Sequence, residues 1–263
     1  MNKIKTIISK EWAEVFKNRF VLFTVAFLPI ILTALPLGIL YATSSLESGE
    51  AVSSDIPAQF IQFCPAELSG AECFQIYMVN QFLILFMMMP MMIPVTIAAY
   101  SIVGEKTTRS LEPLLATPIT TAELLTGKSL AALIPAIAAT WAGFILFAVG
   151  AAIIVDNPVV LKALLDPMWL IAVVIVGPLM ALMAVNASIM VSSRVTDPRV
   201  AEQLSMVVIV PVLALFFGQI TGLFIINSTI ILLIAAVLIL VDILLVYLAV
   251  QVFQRENILT RWK

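Results

Sequence analysis

Residues 104–128 read GEKTTRSLEPLLATPITTAELLTGK, a polar island between two long apolar runs. Gly104 can close the run before it as a C-terminal cap. Ser110 can cap a short helix whose first turn holds Leu111, Glu112 and Pro113, where proline is tolerated and an acid suits the positive helix end. Thr117-Pro118 ends that helix. Thr120 and Glu123 have capping-box spacing and start a helix that continues into the next apolar run. The island therefore reads as a short ordered helix between two membrane helices, presenting Leu111, Leu114 and Leu115.

Outward from this island the chain is apolar almost throughout. Of 263 residues 62% are hydrophobic and 11% charged, which no soluble core of this size could absorb. Runs of about twenty apolar residues are the length of a bilayer crossing. They fall at 20–42, 77–103, 127–153, 168–191, 203–224 and 229–252, with an outer loop at 43–76. The expected fold is an all-α integral membrane protein of six transmembrane helices, forming one domain over residues 1–263.

The cations support the count. With six spans, every Lys and Arg except Lys162 falls on one side, whereas Glu47, Glu50, Asp55, Glu67, Glu72, Asp156 and Asp166 fall on the other. The positive-inside rule then places both termini in the cytoplasm. Before the first span, Ile4, Ile7, Ile8, Trp12, Val15 and Phe16 recur at helical spacing, with Lys3, Lys5, Lys10, Glu14 and Lys17 opposite. That pattern suits an amphipathic helix lying at the membrane surface. Residues 1–19 do not read as a cleavable leader, because no small-residue cleavage site follows a short apolar run.

The chain has no histidine, which excludes zincin, Ser–His–Asp and histidine-ligated haem chemistry. No basic tract suggests nucleic acid. Cys64 and Cys73, in the first outer loop, could form a disulfide in an oxidising compartment. Asp242 is expected to lie deep in the last span and is a candidate intramembrane site, as are Asn186 and Gln219. Each could instead make a structural hydrogen bond. The run FMMMPMMIP at 86–94 could bind a soft metal, but without Cys or His it reads first as packing; no metal site is expected. The prolines in the spans are expected to kink them.

Residues 122–129, AELLTGKS, loosely match a phosphate-binding loop. A capping box begins a helix there, Glu123 would repel phosphate, and no strand precedes it. Nucleotide binding by this chain is not expected. Gly127 and Lys128 read as the membrane boundary, with the lysine reaching toward the headgroups.

The island at 104–128 resembles the signature loop of the type-two export permeases of ATP-binding-cassette transporters. SSRVTDPRVAEQLS at 192–205 resembles the loop between spans four and five of that family, and FFGQ at 216–219 is a weaker match. The resemblance implies that the loop at 104–127 carries a coupling helix docking on a separate ATPase, with Glu105, Arg109, Leu111, Glu112, Pro113, Leu114, Leu115, Thr117 and Pro118 at the contact. Residues 1–19 would be the family's connecting helix, presenting Ile4, Ile8, Trp12 and Phe16. ATP and Mg would be bound by the partner and no cofactor by this chain. Two permease copies, or one with a paralogue, would share the plasma membrane. The expected function is export by alternating access. The competing expectation is an ATPase-independent secondary transporter or channel centred on Asp242.

Overall fold

The computed structural model describes residues 3–44, 68–107, 119–223 and 225–252. All its regular elements are helical, with no strand among the described residues. Helix α1 (Lys3–Val15) precedes six candidate membrane crossings. These are α2 (Arg19–Ser44); α3 (Gly70–Phe86) with α4 (Met89–Thr107); α5 (Thr121–Ile154); α6 (Pro158–Leu164), α7 (Pro167–Ile171) and α8 (Gly177–Arg194) in series; α9 (Pro198–Ser205) with α10 (Val210–Ile220); and α11 (Ser228–Val252).

The second crossing is the axis of the bundle. Its apolar window is 78% buried by protein, against 11% for the first crossing and 22% for each of the last two. Helix α4 packs on α8, α5, α9 and α2, while α11 packs mainly on α8. A helix apolar on every side is either enclosed or faces lipid; α4 is enclosed, and α2, α10 and α11 turn much of their surface outward. Met87, Met89 and Met91 are buried in the core, consistent with packing. Close approach of α2 to α5 depends on Gly150, where a Cβ would lie 2.7 Å from the Leu37 side chain.

Two boundaries differ from the sequence reading. Helix α3 begins at Gly70, seven residues earlier than expected, because Ser69 and Glu72 form a capping box. Helix α4 runs through Gly104 to Thr107, so that glycine does not end it. The next two residues are anchored side by side: Glu105 pairs with Lys10 and Lys128, and Lys106 donates to the carbonyls of Ser193 and Val195. The Thr120–Glu123 capping box is present at the start of α5.

Proline acts more strongly than a kink at three places. The second crossing is interrupted at Met87 and Met88, just before Pro90. Five residues in π conformation (Ala172–Val176) precede Pro178, and a 3₁₀ turn (Met206–Ile209) precedes Pro211. Proline has no N–H for the carbonyl four residues back, so the backbone ahead of it is re-paired at a different pitch.

At the bundle end remote from α1, the Asn157 amide donates to Glu72 Oε1 at 2.6 Å and Trp169 Nε1 to Asn80 Oδ1 at 2.9 Å. These bonds fasten α6 and α7 over α3. Cys73 is disulfide-bonded; Cys64, the other cysteine of the sequence, lies outside the described residues.

Candidate functional site

Helix α1 does not spend its apolar stripe on the membrane surface alone. Ile7, Glu11 and Val15, four residues apart, are buried. Ile4, Ile8, Trp12 and Phe16 are half-buried. The stripe packs on α5 and the end of α4. Trp12 Nε1 donates to the Ala131 carbonyl at 2.9 Å. Gly127 is where the two helices touch: a Cβ there would lie 2.8 Å from Ile7 Cγ2. Gly127→Leu is expected to lift α1 from α5 and cost about 1–3 kcal/mol by overpacking. A thermal-unfolding comparison with Gly127→Ala checks this; equal melting of the leucine variant and wild type would contradict it.

Beneath this contact lies a cluster of four charges. Lys128 Nζ donates to Glu11 Oε1 at 2.7 Å and to Ser101 Oγ at 2.9 Å, and forms an ion pair with Glu105 Oε2 at 2.8 Å. The Ser101 hydroxyl in turn donates to Glu11 Oε2, and Lys10 to Glu105 Oε1. The side chains of Glu11, Glu105 and Lys128 are only 3–4% exposed. The two buried carboxylates are matched by two cations, the condition under which buried charge is tolerated, and Lys10 also lies 3.8 Å from Glu14 at the exposed rim. A more exposed pair, Lys3–Glu123 at 3.3 Å, lies at the margin.

Burial works against the Lys10 ammonium. Its hydrogen bond to Glu105 and the charges of Glu105, Glu11 and Glu14 outweigh that and hold its pKa above the ordinary lysine value. A raised lysine contributes its stability below the lysine range and loses it only as pH rises through the folded value. This arm is therefore insensitive to pH near neutrality.

The cluster revises two expectations. Lys128 does not reach out to headgroups; three partners hold it inside the protein. Glu105 was expected to face a docking subunit, but its carboxylate is turned inward between two lysines. Arg109, Leu111, Glu112, Pro113, Leu114, Leu115, Thr117 and Pro118 lie outside the described residues. Sequence reasoning missed Glu11, Ser101 and Lys10. The available signal was Glu11 itself, an acid at helical spacing between Ile7 and Val15 on an apolar stripe.

The stretch 192–205 adjoins the cluster. Asp197 caps α9 by accepting from the Arg199 and Val200 N–H groups, and Glu202 accepts from Thr96 Oγ1 on α4 at 2.6 Å. Two cavities of about 420 and 610 Å³, lined mainly by polar residues, share Asn18 and Tyr100 and form a crevice between α1, α4 and α9. A wholly apolar cavity of about 40 Å³ lies elsewhere, between Met87, Trp169 and Met180.

The intramembrane polar residues are dispersed. Asn186 donates to the Leu182 carbonyl one turn back on α8. Gln219 is buried on α10, and its Oε1 has no hydrogen-bond partner among the described residues. Asp242 is buried on α11, and neither of its oxygens has one either. No metal-holding group of His, Cys, Asp and Glu occurs among the described residues.

Comparison with protein families matches residues 5–229 to a model described as ABC-2 family transporter protein. Comparison with curated proteins finds no match.

Proposed function

The chain belongs to the ABC-2 family of transporter proteins, and on that premise we propose that a separate ATPase drives it by docking on the loop at 104–127 and on α1. As a member it is a membrane permease of an ABC-type transporter. The finer reading is that of an exporter with both termini in the cytoplasm of a cell with a plasma membrane. ATP and Mg are held by the partner, and a second permease copy or a paralogue completes the pore. ATP binding draws the partner ATPases together, the loops follow, and the membrane halves alternate their access as rigid units.

The observation that carries this reading is the fastening of α1 to both ends of that loop, through Glu105 near its start and Gly127 and Lys128 at its end. A loop held at both ends on one platform suits a docking surface better than a passive connection does.

The test is co-purification of the chain from its native membrane. Wild type is expected to bring down a stoichiometric ATPase. Glu112→Arg and Leu114→Asp are expected to lose most of it while remaining inserted, since a reversed or buried charge at an interface centre costs several kcal/mol. Undiminished recovery with both variants would remove the docking assignment.

A further inference from the structure

The charged cluster joins three helices. Glu11 and Lys10 belong to α1, Ser101 and Glu105 to the last turns of α4, and Lys128 to the third turn of α5. Helices α4 and α5 are the two flanks of the loop at 108–118. The bonds therefore run from each flank to α1 and, through Lys128 and Glu105, from flank to flank.

We infer that Lys10, Glu11, Ser101, Glu105 and Lys128 weld α1 and the two loop flanks into one rigid lever, so that these are positioning residues for coupling and not docking residues. The inference rests on the proposed partnership for its purpose, but the weld is a property of this chain alone.

Three observations support it. First, the buried bonds close on one another: Lys128, Glu11 and Ser101 form a ring, and Glu105 bridges Lys128 and Lys10, which in turn lies 3.8 Å from Glu14 at the exposed rim. Moving α1 against α5 would pull Glu11 from Lys128 and leave charges buried without partners, which is strongly unfavourable. Second, the same seam is locked sterically at Ile7 and Gly127 and by the bond from Trp12 to the Ala131 carbonyl. Third, the chain passes from α1 to α2 by the short turn at 16–18. A displacement of the loop is thereby handed to the first crossing as well as to the second and third. Interlocked packing of this kind transmits displacement as a body and does not absorb it.

The experiment has two arms. In the first, the chain alone in nanodiscs carries spin labels at the exposed positions Ser9 and Thr126, introduced as Ser9→Cys and Thr126→Cys. A single narrow distance between them is expected, and Lys128→Met is expected to add a second, longer component. A broad distribution in the otherwise unmodified labelled chain would overturn the weld, whatever the partner proves to be.

In the second arm, Ile7→Cys with Gly127→Cys is oxidised to bridge α1 and α5 in the complex with the co-purified ATPase, and wild type is oxidised and reduced in parallel. Permease-dependent ATP hydrolysis is expected to be unchanged by the bridge. Loss of hydrolysis on bridging, with recovery on reduction, would mean that α1 must move against α5 and would overturn the lever. If wild type brings down no ATPase, the proposed partnership fails, and the spin-label arm still decides the weld.

Discussion

Lys128→Met is expected to destabilise the folded chain by about 3–5 kcal/mol, the cost of removing one partner from a buried ion pair. Methionine keeps the length of the aliphatic stem, so packing around Gly127 and Ile7 changes little. What changes is electrostatic: Glu11 and Glu105 are left buried, with Lys10 alone to answer both. Burying a carboxylate without its cation is far more costly than burying neither. The measurement is reversible unfolding in mixed micelles, with Glu11→Gln and the double variant completing a cycle. Because the two residues touch, the double variant is expected to fall well short of the sum of the singles. A loss under about 1 kcal/mol for Lys128→Met would place the pair in the range of solvated surface bridges and contradict the buried arrangement.

Asp242→Leu is expected to act with the opposite sign, stabilising the inserted chain by about 3 kcal/mol, the order of the insertion-scale penalty for an aspartate at the centre of a membrane helix. The contrast with Lys128 lies in satisfaction. Both side chains are about 5% exposed or less, yet Lys128 has three partners and the Asp242 oxygens have no hydrogen bond among the described residues. No other acidic or basic residue lies on α11, and none on α8, its main neighbour, before Arg194 at the end. Unfolding of Asp242→Leu beside wild type checks the sign. A destabilised leucine variant would mean that the carboxyl group is engaged by something beyond the described residues, and ATPase-independent transport centred on Asp242 would then become the stronger reading.

Much of the molecule is legible without coordinates because its signals are local. A crossing is set by length and hydropathy within one segment, so the six runs were placed correctly in number. The Thr120–Glu123 capping box is a four-residue signal and starts α5 as read. The same signal stands at Ser69 and Glu72, yet α3 was expected to start later. The stretch it opens, GAECFQ, mixes Glu72 and Gln75 with apolar residues, and low net hydropathy there concealed a helix start that capping chemistry marks plainly. Proline positions were visible, whereas their consequences were not. Whether a missing N–H produces a bend, a break, a π turn or a 3₁₀ turn depends on which neighbouring helices hold the freed backbone in place.

The candidate site shows the same division. The loop at 104–128 and the amphipathic pattern before the first span could be read from their residues, and their family resemblance agrees with the match over residues 5–229. Which residues of those segments face outward could not. Glu105 lies in the loop's own motif and looked like a docking residue; Lys128 follows a glycine at a membrane edge and looked like an anchor. Both turn inward because a third segment, 117 residues from Lys128 and 95 from Glu105 along the chain, supplies Glu11 and Lys10.

The sequence by itself determined what each segment is: six apolar lengths that only lipid or a membrane bundle can cover, a polar loop with helix-starting chemistry, and a one-sided distribution of cations. The tertiary structure alone decided which charges are neutralised by the protein and which are left without a bond. A salt bridge requires two side chains within about 4 Å, and that separation depends on how distant segments pack, not on the composition of either.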